Sequence, residues 1–551
     1  MKNSKKYLTL TLVLIGVISC GGGGETTKTP VTIPTPAVSI SSAKPVLTFS
    51  NQTSALNIKV NHGHNPQQFL TEPMMYSAGV AVVDYNNDSY LDLYFVTGSG
   101  GSNQLYQNQG DNTFIEMASE AGIAISGVKG SGPTFADIDG DGWLDLFVGA
   151  VDDEQYYLFQ NNRDGTFTDI TASSGLMITA ANSVSSTFGD IDNDGDLDMF
   201  ISHWGNPINS DKSLEIVWRN DTENNVIKFV DISAEWGMNE LYQAQILDTS
   251  FVPSLSDIDN DGDIDLLLVS DSGKSKVLRN DGNKFTRTNA GAINDQFGMG
   301  SAVGDIDNDG DMDWYVTSIY KKGNSSQATN RTASYNGNRL YINDGEGNFN
   351  NIALAKEVDN GGWSWAACFA DFNNDGLTDI FHVNGWGQSS VDFSQYEDDI
   401  SRFYLQQSDG TFIESSAAVK VNEVKQGRGV SCNDIDRDGD IDIITSNNNS
   451  NASYFRNELT SGHHYLIVQL EGNTPNSQAL GAKIQITSST GLVQTKELRI
   501  DNNFVSTNAV EAHFGLGTEE MPVKVTITWP NGVITVHEDI AIDQLITLEQ
   551  Q

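Results

Sequence analysis

The sequence predicts an all-β chain, a seven-bladed β-propeller followed by a small C-terminal β domain, and three observations predict it. An acidic nine-residue loop recurs seven times, and each copy runs at once into an apolar strand. Nearly every copy is then followed by two more short strands separated by turn residues, which is the pattern of a propeller blade. After residue 460 the loops stop and alternating strands continue.

The fullest copy of the loop is Asp190-Ile-Asp192-Asn-Asp194-Gly195-Asp-Leu-Asp198. Oxygen side chains at positions one, three, five and nine, with glycine at six, can converge on one hard cation. Gly195 supplies the left-handed backbone that the reversal needs. An EF-hand would instead place a bidentate Glu at position twelve between two helices, whereas the flanks here are strands.

The remaining copies use Asp84, Asn86, Asp88 and Asp92; Asp137, Asp139, Asp141 and Asp145; and Asp257, Asp259, Asp261 and Asp265. They continue with Asp305, Asp307, Asp309 and Asp313; Asp371, Asn373, Asp375 and Asp379; and Asp434, Asp436, Asp438 and Asp442. First residues of successive copies lie 53, 53, 67, 48, 66 and 63 apart, a period that signals stacked supersecondary units. The set is expected to hold up to seven structural Ca2+ ions. The first copy is expected to be the weakest, because Ser89 replaces its glycine.

Composition agrees with this reading. At 551 residues the chain is too long for one ordinary core, yet a repeat array can run this far as one body. The net charge is -42, and the loops hold 30 of the 73 acidic residues, so much of the acidity is ligand. The remaining negative charge argues against nucleic acid or an anionic membrane surface as a partner. With 9% aromatic residues, the chain is not a disordered acidic tail.

At the N-terminus Lys2, Lys5 and Lys6 precede the apolar run from Leu8 to Ile18, which reads as a secretory signal and is too short to span a bilayer. It ends in Val17-Ile18-Ser19-Cys20, which resembles a bacterial lipobox and implies lipidation of Cys20. An ordinary signal peptide with an incidental cysteine is the alternative. The expected divisions are a signal peptide over 1–20, a flexible tether over 21–46, the propeller over 47–460 and the β domain over 461–551. Export suits the loops, since calcium is plentiful outside the cytoplasm. Cys368 and Cys432 should lie on neighbouring inner strands as buried free thiols, with a disulfide as the alternative.

The outermost strand of each blade begins near Phe114, Phe167, Phe229, Phe285, Phe349 and Phe412. The seventh repeat lacks one, while Leu47-Thr-Phe-Ser-Asn-Gln-Thr-Ser-Ala-Leu56 stands unpaired before the first loop. That segment is expected to complete the last blade and close the ring, removing two free sheet edges. In the last ninety residues, Tyr465 to Leu470, Lys483 to Ile486, Val523 to Trp529 and Val533 to His537 alternate as strands. His463, His464, His513 and His537 lack metal-ligand spacing and read as surface or core residues.

At this point the chain resembles a known group. The Asp-rich repeats resemble the FG-GAP or VCBS calcium repeats of integrin alpha-type propellers. Gly481-Ala-Lys483, Phe504-Val-Ser-Thr-Asn508, His513-Phe-Gly-Leu-Gly517 and Val525 to Gly532 resemble the ASPIC/UnbV domain. Together they are similar to the cartilage acidic protein 1 family and its bacterial members. The resemblance implies the architecture and leaves the function open, because propellers host binding and catalysis alike.

A ligand would meet the face opposite the loops, where the longer connections emerge. That face collects His62, His64, His203, Trp204, Tyr320, Lys321, Trp363, Trp365, His382 and Trp386. One reading has the tryptophans packing loops together and the histidines solvated. The other is an aromatic pocket for a small molecule, glycan or peptide, with His62, His64, His203 or His382 free for acid-base or metal chemistry. No nucleophile elbow, phosphate loop or cofactor fingerprint occurs. The expectation is thus a lipid-anchored cell-envelope propeller acting as a binding or adhesion module. A propeller enzyme and a purely structural envelope protein are the alternatives.

Overall fold

The computed structural model describes residues 46–65, 71–152, 154–176, 182–207, 216–238, 247–288, 291–321, 336–387, 394–500 and 503–551. The signal segment with Cys20, and the tether up to residue 45, lie outside them. Among the described residues no helix is long and apolar enough to cross a membrane.

Short strands dominate because each repeat alternates β-branched and aromatic residues between turns. The first strands of the successive repeats are Gly79–Val83, Gly130–Ala136, Ser183–Gly189, Leu247–Ser256, Ser301–Gly304, Ser364–Ala370 and Gly427–Asn433. Each pairs antiparallel with the strand that leaves its acidic loop, and a third and a fourth strand follow outward. Among the described residues this makes seven four-stranded groups, one for each loop, and the chain is a β-propeller. Groups three and four are also joined along their edge, Trp204 pairing with Thr249.

First strands of neighbouring groups lie against one another, and Gly427–Asn433 lies against Gly79–Val83 to complete the circuit. Strand Phe49–Asn51 pairs antiparallel with Ser453–Asn457, Phe49 opposite Asn457, and so supplies the outermost strand of the seventh group. Phe49 is buried against Phe372 and Phe403.

Cys368 and Cys432, expected as free thiols, form a disulfide between the first strands of groups six and seven, with Cα atoms 6.5 Å apart. The spacing of the loops places the two cysteines on neighbouring strands, but the facing register, which decides whether two cysteines meet, depends on packing between groups.

The C-terminal residues form two sheets around a core that includes Leu466, Val468, Ile484, Phe514, Ile527 and Trp529. In one sheet His464–Glu471 lies between Ala512–Gly517 and Gln544–Glu549. The other is ordered Val493–Glu497, Lys483–Thr487, Val523–Thr528, Ile534–Ile540. Between them, strand Ser506–Thr507 leaves the domain and pairs parallel with Gly79–Val83, the first strand of group one.

Candidate functional site

Each acidic loop is shaped by its own carboxylates. In the second, Asp137 accepts the N–H of Asp141 at 3.0 Å and of Gly142 at 2.8 Å, so position one folds the loop back onto positions five and six. Position six takes a left-handed backbone in every copy, including Ser89 at φ 72° where the others have glycine. The position-nine aspartates, Asp92, Asp145, Asp198, Asp265, Asp313, Asp379 and Asp442, are all buried. Each accepts the N–H of position two with one oxygen and the N–H of the residue ending the third strand with the other, as Asp198 does from Ile191 and Asn220.

These bonds leave oxygens without partners. In loops two, three, four and seven, buried oxygens of Asp139, Asp190, Asp192, Asp257, Asp259 and Asp436 have no hydrogen-bond donor. Carboxylates at positions one, three and nine bring ligand atoms within 4.8 Å of one another in loops two, four and five, and those at one, three and five do so in loops three and seven. Buried acceptors this close repel one another and lack donors, which is the environment a hard oxygen-seeking cation fits. Burial, followed by neighbouring carboxylates, pushes Asp265 and Asp313 up to about 8, with the N–H donors pulling the other way. Loops one and six carry an amide at position three, and Asn86 and Asn373 each donate to the position-five aspartate at 2.9 and 3.0 Å.

A second set of side chains, unmarked by the acidic pattern, ties the groups together. Asn161 at the end of a third strand donates to the Tyr85 carbonyl of the preceding group, at 3.1 Å. Asn220, Asn280, Asn343, Gln406 and Asn457 repeat the contact to Ile138, Ile191, Ile258, Ile306 and Phe372. The acceptor of each of these amides lies one repeat away, where no local pattern points.

On the opposite face the predicted residues divide. Tyr76 packs against Trp204, Trp365 and Trp386, with centroids 4.7, 5.8 and 6.2 Å away. Trp363 stacks on Trp386 at 4.6 Å, and the Arg428 guanidinium lies 4.1 Å over Trp365. Arg428 donates to the carbonyls of Met75, Gly385 and Gly427. His62 and His64 stand beside this cluster, 5.0 Å apart, and burial holds both below the usual histidine range.

His382 lies elsewhere, buried between Tyr315 and Tyr404, and burial pushes it down to about 3. His203 is buried in the second strand of group three, paired with Ser183. Tyr320 and Lys321 are half-buried, the Tyr320 carbonyl accepting the Tyr396 hydroxyl at 2.9 Å. The tryptophans thus pack the connections together, but His62, His203 and His382 are buried rather than solvated. Their side chains fill space among neighbours that the sequence does not place beside them.

With this geometry in view, comparison defines the class. The FG-GAP-like repeat family matches residues 84–148, 137–201, 257–316 and 331–382, and the ASPIC and UnbV family matches residues 472–551. The chain is an FG-GAP-repeat propeller with a C-terminal ASPIC/UnbV domain. Along most of its length it resembles the cartilage acidic protein 1 proteins: it is 25% identical to cartilage acidic protein 1 of Mus musculus over 529 residues, 91% of this chain and 77% of that one. It is 32% identical to the Xenopus tropicalis protein of that name over 127 residues, 23% of this chain and 19% of that one. A solved lectin from Agrocybe aegerita, titled for recognition of non-reducing terminal N-acetylglucosamine, aligns with TM-score 0.38 and 16% identity over 69% of this chain and 93% of its own.

Proposed function

We propose that the chain is an exported, lipid-anchored propeller whose loops hold structural Ca2+ and which acts as a binding module for an extracytoplasmic glycan, peptide or small molecule. The observation that carries the metal part is the set of buried carboxylate oxygens in the loops that have no hydrogen-bond donor. A bound Ca2+ supplies positive charge that neutralises the convergent carboxylates and fixes the loop oxygens.

The binding part rests on which face is free. The C-terminal domain sits on the loops, with Lys483 on Asp257 and His513 on the Gly439 carbonyl. Ligand contact is therefore assigned to the opposite face, with Tyr320 and Lys321 at its rim. The test is an array of glycans and peptides probed with the calcium-loaded protein, followed by Tyr320→Ala and Lys321→Ala. A hit that weakens by about tenfold or more in either variant supports the assignment, about 1.4 kcal/mol. A hit unaffected by both contradicts it.

A further inference from the structure

The central channel is filled by the chain itself. Residues Asn503 to Asn508 meet all seven groups. Val80 N–H donates to the Ser506 hydroxyl at 3.1 Å, Thr507 donates to the Pro133 carbonyl at 3.2 Å, and the Ser185 hydroxyl donates to the Phe504 carbonyl. Phe504 packs on Phe251 and Trp365 with centroids 5.3 and 5.2 Å away. The Ser301 N–H donates to the Asn503 carbonyl at 3.4 Å, and the Asn503 amide donates to the Val430 carbonyl at 2.9 Å.

The domain that delivers this segment is held largely by the acidic loops. At loop two, Ser477 donates to the Asp137 carboxylate, and Asp137 N–H donates to Gln478 at 3.0 Å. At loop four, Lys483 Nζ lies 3.0 Å from Asp257 Oδ2 and 2.6 Å from Asn260 Oδ1, while Asp257 N–H donates to Glu497 at 3.0 Å. At loop six the Asn373 carbonyl accepts from His463 at 2.8 Å and the Asn374 carbonyl from Gly517 N–H at 2.7 Å. At loop seven the Gly439 carbonyl accepts from His513 at 2.8 Å, and Arg437 pairs with Glu511 at 2.9 Å. The docking partners are thus position-one carboxylates, the position-four side chains Asn260 and Arg437, and loop backbone groups, whose placement depends on the fold of an acidic turn.

Lys483 makes the linkage most direct. It occupies Oδ2 of Asp257, while Oδ1 of the same carboxylate and Oδ1 of Asp259 have no partner. One carboxylate can then serve a cation on one side and the C-terminal domain on the other. The ring has separate fastenings: the amide contacts between groups, strand Phe49–Asn51 and the Cys368–Cys432 disulfide.

We propose that cation loading of the loops latches the C-terminal domain and so keeps residues 503–508 in the channel, and that emptying the loops withdraws this plug while the ring stays closed. The inference rests on the reading of the loops as cation sites, and the experiment separates the two. Metal content and hydrogen exchange are measured on the full chain with Ca2+ and after chelation. Absence of bound metal with Ca2+ present removes the loop reading and the latch with it.

If metal binds and is stripped, exchange at 503–508 should rise at least about tenfold while Gly130–Ala136 and Ser364–Ala370 stay protected. Unchanged protection at 503–508 in metal-free protein overturns the latch alone. Loss of protection in all strands together also overturns it, because the plug is then not released as a unit. Lys483→Met leaves every loop residue in place and should release the plug at about fivefold lower chelator. An unchanged release midpoint in that variant likewise overturns the proposal.

Discussion

Asn108, at the end of a strand in the first group, donates its side-chain amide to the carbonyl of Ile435, in the loop of the seventh, at 3.2 Å. This contact joins the two ends of the repeat array and completes the series that Asn161 through Asn457 make between consecutive groups. The same amide reaches the Leu91 carbonyl of its own loop at 3.2 Å, so one side chain fixes a strand, a loop and a neighbour. Asn108→Ala should leave two buried carbonyls short of a donor and cost ~1–3 kcal/mol. Denaturant unfolding of the variant beside wild type measures it, and an unchanged midpoint would remove the contact from the account.

The strand that closes the seventh group makes a stronger demand. Phe49 is 2% exposed and packs between Phe372 and Phe403. Phe49→Ala is expected to cost ~3–5 kcal/mol, the usual range for emptying a buried phenylalanine site. Limited proteolysis should then cut near residues 46–58 before any other described segment. Cleavage that begins elsewhere at the wild-type rate would contradict this.

The disulfide gives a third expectation. It links residues 64 apart in sequence across two neighbouring groups. Replacing Cys368 and Cys432 together by alanine should lower stability by ~2–5 kcal/mol, mainly by freeing the unfolded chain. Thermal unfolding without reductant reads the difference, and equal melting temperatures would count against the bridge.

His382 supplies a pH dependence. Burial lowers its folded pKa to about 3, so the fold holds it neutral. The neutral form is favoured in the fold, and its contribution is fully present above the unfolded histidine value of about 6.5. As pH falls below that value toward about 3 the unfolded state takes up the proton first, and stability declines on the order of a few kcal/mol. His382→Gln should flatten that part of the acid limb. Acid limbs of equal slope from pH 6.5 to 4 in variant and wild type would refute the assignment.

Much of this architecture was legible in the sequence because it repeats. The acidic loop, the apolar strand after it and the phenylalanine that opens each outer strand recur in one order, so local chemistry alone locates them. Phe49 could be matched to the seventh group because it was the one outer strand without a loop of its own. The rest depended on contacts across repeats. The partner of Asn108 lies 327 residues away, and no local pattern names it. The Phe504 segment was recognisable as a motif, yet nothing in its composition says that it lies in the channel. Likewise Trp365 and Trp386 were readable as aromatics on one face, but Tyr76 and Arg428, which complete their packing, carried no repeat signal.

The central claim is that the acidic turns are cation sites whose loading stabilises the folded chain. Its most direct test is the melting temperature of the full chain, with metal content verified, in excess Ca2+ and in excess chelator. The account predicts several bound equivalents and a clear fall on stripping, since a ligand at a hundredfold excess over its Kd stabilises by ~2.7 kcal/mol per site. A metal-free protein that melts at the same temperature as the loaded one would contradict it.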